Sequence, residues 1–232
     1  MHTRSRRPTA ELPELGPGVT LVDVDDELGV TPVQALLLDR VLSSDSPAFW
    51  VDGANRANTS RLRELAPADR VLDRIKVARG FTAHQHTSLL DRLAGRLAIR
   101  ESPSVVVATG LDGMYRAADV DSELAEQMFI RAIASVARVG RVHDVPVIVT
   151  RCREDEFSRP LRRAAATKLH CRKTPFGPRF EDASGDVETL VYHTEDGWIQ
   201  TTLEYWCEVL EHRVRMHETS TAERAVATPG VQ

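Results

Sequence analysis

The sequence predicts an α/β protein with a mostly parallel sheet that helices cover on both faces. Apolar runs of strand length alternate with stretches of helical periodicity from about residue 19 to residue 150, and such alternation is typical of βαβ units. The runs at 105–107 and 147–149 are continuously apolar, as expected for strands buried on both faces. After residue 151 short strands separated by turns follow, which predicts antiparallel edge strands near the C-terminus.

The alternating part of the chain, residues 19–150, contains five predicted strands and four predicted helices. Strands are predicted near 19–24, 48–52, 75–80, 104–109 and 145–150. Helices are predicted near 32–42, 59–66, 84–98 and 121–142. The last of these helices begins at Asp121 or Ser122, which are residue types that favour N-caps. Its apolar residues give it one apolar side: Leu124, Met128, Ile130, Ile133, Ala137 and Val139.

The C-terminal part contains shorter predicted elements. Strands are predicted at 167–173, 188–194 and 198–202, with glycine-bearing turns at 176–178 and 195–197. An amphipathic helix that carries Trp206 is predicted over 203–217. The expected organisation is a flexible arm over 1–14, one core domain over 15–217 and a small, polar, disordered tail over 218–232.

Composition narrows the class of protein. The chain has 232 residues, of which 42% are hydrophobic and 28% charged, values that fit a globular domain. The net charge of −4 gives no general attraction to nucleic acid, so any such contact needs a local basic patch. Three cysteines without C-x-x-C spacing are read as reduced thiols. No apolar run approaches ~18 residues, and the N-terminus lacks a signal-peptide pattern. A cytoplasmic protein without a membrane partner is expected.

Residues 18–31 have the frame of a phosphate-binding loop, an apolar strand followed by a glycine-bearing turn and a helix. Such a loop needs a lysine for the β- and γ-phosphates and a serine or threonine for magnesium. Here Gly29, Val30 and Thr31 stand where Gly-Lys-Thr would be. Asp25 and the following Asp26-Glu27 add carboxylates that repel a triphosphate. The sequence therefore has the strand, turn and helix of a phosphate-binding loop but lacks the lysine that binds the phosphates.

A collinear series of segments extends this frame. After the loop come A-F-W-V-D-G from Ala48, V-A-R-G-F with H-Q at 77–85, S-V-V-V-A-T-G-L-D-G-M-Y-R from Ser104, and V-P-V-I-V-T-R from Val145. Their order and spacing resemble the ATPase core of the archaeal RadA/RecA-like recombinase family. The resemblance covers roughly residues 15–202. It implies a RecA-like core with a parallel sheet, helices on both faces and antiparallel edge strands.

Departures from the family pattern fall on its catalytic positions. By the resemblance, the acidic residue that activates the attacking water would lie two positions after Asp52, where this chain has Ala54. The Walker B aspartate falls on Thr109, and the residue that senses the γ-phosphate falls on Arg151 or Cys152. Phosphoryl transfer depends on positioning and on neutralising charge. The resemblance therefore implies a pseudo-ATPase without catalytic residues or cofactor. Its degenerate nucleotide site comprises Gly29, Val30, Thr31, Ala54 and Thr109.

A basic stretch follows the last parallel strand. In the family, one DNA-contacting loop follows this strand and coincides with residues 152–166. The candidate DNA-binding residues are Arg151, Arg153, Arg159, Arg162, Arg163, Lys168, Arg172 and Lys173. Glu154, Asp155 and Glu156 interrupt the run, so a solvated or protein-binding face is the slightly favoured alternative. Aromatic residues for base stacking are sparse, which favours weak contact with the backbone of single-stranded DNA.

Three further features are read as structural. His84 and His86 diverge on a helix, and no carboxylate or thiol completes a metal set, so no metal is expected. The segment 129–132 matches the Phe-x-x-Ala pattern through which recombinases polymerise, but its place within a helix indicates core packing. Asp52 and Asp112, near predicted strand ends, are expected to be turn residues.

These observations favour a non-catalytic accessory protein in DNA recombination or repair. Such a protein would modulate an active recombinase or another repair protein by docking on it, on single-stranded DNA or on both. Two alternatives stay open. One is a regulatory or scaffold RecA-fold protein unrelated to DNA, like relatives of clock-type ATPases. The other is an enzyme whose site the sequence pattern does not reveal.

Overall fold

The computed structural model describes residues 12–53, 55–97, 102–116, 121–175, 177–182, 206–215 and 217. Its strands are β1 (Gly18–Val24), β2 (Ala48–Asp52), β3 (Ile75–Arg79), β4 (Val105–Thr109), β5 (Pro146–Val149), β6 (Thr167–Thr174) and β7 (Gly177–Asp182). They form one seven-stranded sheet in the order β3-β2-β4-β5-β1-β6-β7. Strands β1 to β6 run parallel, and β7 is antiparallel to β6. The predicted α/β fold is confirmed and is consistent with a RecA-like core.

Helices connect the strands. They are α1 (Thr31–Leu42), α2 (Thr59–Leu65), α3 (Asp69–Leu72), α4 (Ala83–Leu97), α5 (Ser122–His143) and α6 (Arg159–Ala164). Two short 3₁₀ turns lie at Asp26–Leu28 and Gly113–Arg116. Residues 206–215 are helical, in agreement with the helix predicted there.

The sheet has an apolar core on each face because alternate side chains of a strand point to opposite sides. Trp50 of β2 packs with α1, α2 and residues 206–210 on one face. Phe49, its neighbour in β2, packs with α4, α5 and α6 on the other. Phe129 is 1% exposed and Ala132 is fully buried, so the Phe-x-x-Ala segment is core, as predicted. Leu12, which the sequence places in the arm, also packs in the first core.

Two local features fix α5 against the sheet. Asp121 is its N-cap and accepts hydrogen bonds from the backbone amides of Glu123 and Leu124 at 3.0 and 3.4 Å. Near the other end, Gly140 packs directly on Gly18, where β1 begins. A Cβ on Gly140 would lie 2.8 Å from the Gly18 Cα, so only glycine permits this contact.

The structure departs from the sequence-based elements near the C-terminus. Strand β6 was expected to be antiparallel, but it pairs in parallel with β1 because α6 carries the chain across the sheet after β5. The short α3 and α6 and the strand β7 were not predicted, and the turn expected at 176–178 overlaps the start of β7. The strands predicted at 188–194 and 198–202 lie outside the described residues.

Candidate functional site

The carboxyl ends of the parallel strands meet at one edge of the sheet, where open α/β sheets bind ligands. Two clefts open there. The first has a volume of about 310 Å³ and lies between the loops that follow β1 and β5, with His170 of β6 on its wall. The second has a volume of about 420 Å³ and lies between the loops that follow β2, β3 and β4.

Two of the three predicted phosphate-loop residues, Gly29 and Val30, line the first cleft, and none of the three supplies a cation. Gly29 adopts a left-handed φ of 57° and faces open space. Val30 directly precedes α1, and its apolar side chain lines the cleft and packs against the core. Thr31 begins α1 and is half-buried. The structure therefore places these three predicted residues together without phosphate-binding charge.

Asp25 ties this loop to β6. Its carboxylate accepts hydrogen bonds from His170 Nε2 and from the backbone amide of Lys173, each at 2.9 Å. The Asp25 amide in turn donates to the Cys171 carbonyl at 3.0 Å, and Glu27 forms an ion pair with the Lys173 ammonium. The Lys173 amide, together with His170, lowers the pKa of Asp25. Asp25 and Glu27 of the acidic loop therefore have partners within the protein.

Arg151 occupies the predicted γ-phosphate-sensing position. Its guanidinium is 5% exposed and donates two hydrogen bonds to the Asp23 carboxylate, at 2.8 and 2.6 Å. Glu154 lies 3.0 Å from the same group. Burial opposes the charged form, but the hydrogen bonds that Arg151 donates to Asp23 and Glu154 prevail and raise the pKa of Arg151. The positive charge is therefore already neutralised inside the cleft.

The predicted Walker B position is Thr109, whose hydroxyl forms two hydrogen bonds with side chains of the adjacent strand β2. Thr109 is fully buried; its Oγ1 accepts from the Trp50 indole at 2.9 Å and donates to Asp52 Oδ1 at 3.3 Å. Asp52 is also fully buried, and its two oxygens accept from the amides of Arg56 and Ala57, each at 2.9 Å. Asp52 is thus the last residue of β2 and not part of a turn as expected, and its carboxylate holds the turn that follows. Ala54 lies outside the described residues.

Asp112 is a turn residue, as predicted, and its carboxylate links the loop after β4 to the loop after β5. It accepts from the Cys152 amide and from Arg116 Nε, each at 2.6 Å. Arg116 also forms a bidentate pair with Asp155 at 2.8 Å and lies over the ring of Phe157, 4.7 Å from its centroid. Hydrogen bonds with Arg116 hold the pKa of Asp155 well below its usual range. The acidic segment 154–156 therefore contributes to holding the loop after β5.

Most of the candidate DNA-binding cations have carboxylate partners. Besides Arg151, the pairs are Arg159 with Glu156, Arg162 with Glu154, Arg172 with Glu181 and Lys173 with Glu27. Three candidates form no ion pair with a described residue: Arg153, Arg163 and Lys168. The predicted cations thus divide into paired and unpaired groups.

His86 is neutral and fully buried. Burial lowers its pKa to about 4. Thr87 donates to the Ala83 carbonyl at 3.0 Å, so Tyr115 must donate to Thr87 at 3.1 Å and His86 Nδ1 to Tyr115 at 2.8 Å. His86 Nε2 is left with a lone pair and no partner among the described residues.

The second cleft was not predicted from the sequence. Its lining includes the backbone of three glycines and the side chains of Phe81, Met114 and Arg79. The available signal was Gly80-Phe81, a glycine and an aromatic residue directly after the predicted strand 75–80. That pair is common enough in loops that it predicts no cleft by itself.

Two other types of site are absent from the described part of the chain. No group of three or more histidine, cysteine or acidic residues there has a geometry that could hold a metal ion. None of the described helices is both long enough and apolar enough to cross a bilayer.

No protein-family model matches the chain, and no curated protein matches it either.

Proposed function

We propose that the chain is a non-catalytic RecA-like accessory protein in DNA recombination or repair, which modulates an active recombinase through protein contacts and weak contact with single-stranded DNA. The observation that carries the proposal is the state of the first cleft. Within a fold consistent with a RecA-like core, Arg151 is paired with Asp23, and Asp25 and Glu27 are paired with residues of β6, at the edge where the resemblance places the phosphates. The role implies a cytoplasmic location.

The absence of ATPase chemistry follows from charge. Transfer of a phosphoryl group requires cations that neutralise the phosphates and the transition state. In the first cleft Arg151 is already paired with Asp23, and Val30 is apolar. A triphosphate entering it would meet the carboxylates of Asp23, Asp25 and Asp26.

Contact with single-stranded DNA is proposed at α6, through the arginines exposed on this helix. Arg159, Arg162 and Arg163 are exposed on this helix, while Leu161 anchors it in the core. Rigidly placed arginines on one helix suit phosphates of a single strand. The partners Glu154 and Glu156 compete with those phosphates, which keeps the contact weak.

Strand exchange by the recombinase of the same organism tests the role. Purified chain added at stoichiometric amounts should change the rate of strand exchange without adding ATPase activity of its own. The doubly reversed variant R162E/R163E should lose this effect, whereas R61E/R63E, with the same change in charge on α2, should keep it. Absence of both an effect and an interaction with the recombinase would reject the proposal, and would favour a scaffold role unrelated to DNA.

A further inference from the structure

The second cleft has the size and lining of a site for a small molecule. Its volume of about 420 Å³ is near the lower end of the range of small-molecule sites, ~300–1,000 Å³. Gly53, Gly80 and Gly113 line it, so no Cβ projects from these positions. Phe81 and Met114 add an aromatic ring and a thioether to the lining. A ligand of one or two rings suits this volume, and its body would contact mostly apolar groups.

The charged residues that line this cleft are paired within the protein. They are Asp52, Arg79 and Arg116. Arg79 Nε lies 3.5 Å from the buried carboxylate of Asp52. Arg116 donates to Asp112 at 2.6 Å and to Asp155 at 2.8 Å. The lining therefore favours a neutral ligand, because an ionic one would have to compete with these pairs.

Phe81 presents an exposed ring on a fixed backbone at this cleft. The residue is 75% exposed although it lines the cleft. The Phe81 amide donates to Gln85 Oε1 at 3.0 Å, and the Gln85 amide donates to Thr82 Oγ1 at 3.2 Å. This reciprocal cap at the start of α4 holds the residue in place. A flat apolar ligand that packs on the ring would remove both surfaces from water.

An unpartnered acceptor lies behind one wall of the cleft. His86 is fully buried, and its Nε2 has a lone pair without a partner among the described residues. A Cβ built on Gly53 would lie 2.9 Å from this Nε2 and 3.2 Å from the Met114 Cγ. The Nε2 edge of the ring therefore faces Gly53 and Met114, which both line the cleft. A buried acceptor without a donor is costly, and a ligand that donated a hydrogen bond to it would remove that cost.

We propose that the second cleft binds a small, neutral aromatic molecule that carries one N–H or O–H donor. Its ring lies against Phe81 and the glycine backbone, and its donor reaches His86 Nε2 after the Met114 side chain rotates away. Met114 is unbranched and has three rotatable bonds, so this movement needs no change in the backbone. The inference is independent of the proposed function, since it involves neither DNA nor the first cleft.

Two bicyclic probes of the same shape test the site: indole, which has an N–H group, and benzofuran, which has an oxygen atom in its place. In ligand-observed NMR titrations indole should bind saturably and on the order of tenfold more tightly than benzofuran, because only indole donates to His86. Phe81→Ala should weaken binding of both probes, whereas Phe81→Tyr keeps the ring and should bind them as the wild type does. Val142→Ala is the matched control, because Val142 is 63% exposed near the end of α5, outside the cleft lining.

The ¹⁵N signal of His86 Nε2 reports the hydrogen bond directly in the wild-type chain. At about pH 5.5 this imidazole is neutral, because burial lowers its pKa to about 4, whereas an ordinary histidine is mostly charged at that pH. Indole should shift the Nε2 signal, and benzofuran should leave it in place.

Several results would overturn the site: no saturable binding of indole, equal affinity for the two probes, unchanged affinity in Phe81→Ala, or an Nε2 signal that indole does not move. N-acetyltryptophanamide is the last probe, since it presents the indole ring as a protein side chain does. If it binds more tightly than indole, the cleft receives a tryptophan of a partner protein and the inference is wrong.

Discussion

Arg151 and Asp23 lie 128 positions apart in the chain and form a bidentate ion pair on the wall of the first cleft, with N–O distances of 2.8 and 2.6 Å. Arg151 follows β5, and Asp23 lies in the adjacent strand β1. The pair joins two neighbouring strands at the edge where the carboxyl ends of the parallel strands meet. The Arg151 guanidinium, a group that could bind a phosphate, instead holds the two strands together at this edge.

Asp23→Asn tests the structural value of this pair. Because Arg151 is 5% exposed, loss of its main carboxylate should lower the free energy of unfolding by about 1–3 kcal/mol, with Glu154 compensating in part. Glu64→Gln removes a carboxylate from the exposed Arg61–Glu64 pair and should cost less than about 1 kcal/mol. Urea unfolding measures both. Equal costs would show that the Arg151 pair behaves as a surface contact.

Isothermal titration calorimetry with Mg-ATP should detect no micromolar binding to the wild-type chain. The carboxylates of Asp23, Asp25, Asp26 and Glu154 line the cleft and outnumber its cations, Arg56, Arg151 and Arg153. Val30→Lys should not restore binding, because the cation it adds only balances these carboxylates and the predicted Walker B position, Thr109, supplies no carboxylate for a metal ion. A saturable titration of the wild type, or ATP turnover that changes in a Thr109 variant, would contradict this prediction.

His86 should make stability depend on pH. Its pKa is about 4 in the folded protein and 6.5 ordinarily, so the unfolded chain binds more protons between these values. Stability from this group is therefore complete above about pH 6.5 and falls as pH decreases towards 4, by up to about 3 kcal/mol.

Urea unfolding at pH 7, 6, 5 and 4 measures this dependence. His86→Gln should remove this part of the slope, whatever its cost at neutral pH. His84→Gln supplies the control, since His84 is exposed on the same helix and its variant should follow the wild type. Parallel curves for the wild type and His86→Gln would show that the buried imidazole is not the source.

The strands could be predicted from the sequence because a buried parallel strand is marked by its own apolar run. Strand β1 was expected near 19–24 and spans Gly18–Val24. Helix α6 was not predicted because Leu161 is its single buried residue, so its sequence has no apolar periodicity. The positions of the degenerate loop were also predictable, since they are contiguous. The pairing of Arg151 with Asp23 was not, because it depends on which strands become neighbours.

DNA binding should depend on α6 and fall with salt. Each phosphate neutralised on a single strand contributes a log–log slope of about −0.7. The triple variant R159A/R162A/R163A should therefore lose most of the affinity and show a flatter salt dependence. R61A/R63A/R70A removes the same charge from α2 and α3 and should retain binding. Fluorescence anisotropy across a series of salt concentrations provides both measurements.

Single substitutions distinguish Arg159, which is ion-paired, from Arg163, which forms no ion pair with a described residue. Arg159 forms an ion pair with Glu156, so its release to a phosphate costs that pair. Arg163 forms no ion pair with a described residue and can contact a phosphate at no such cost. Arg163→Ala should therefore weaken binding more than Arg159→Ala does, and Glu156→Gln should strengthen it by freeing Arg159. Tight binding that survives the triple substitution would show that α6 is a solvated face and that the DNA contact lies elsewhere.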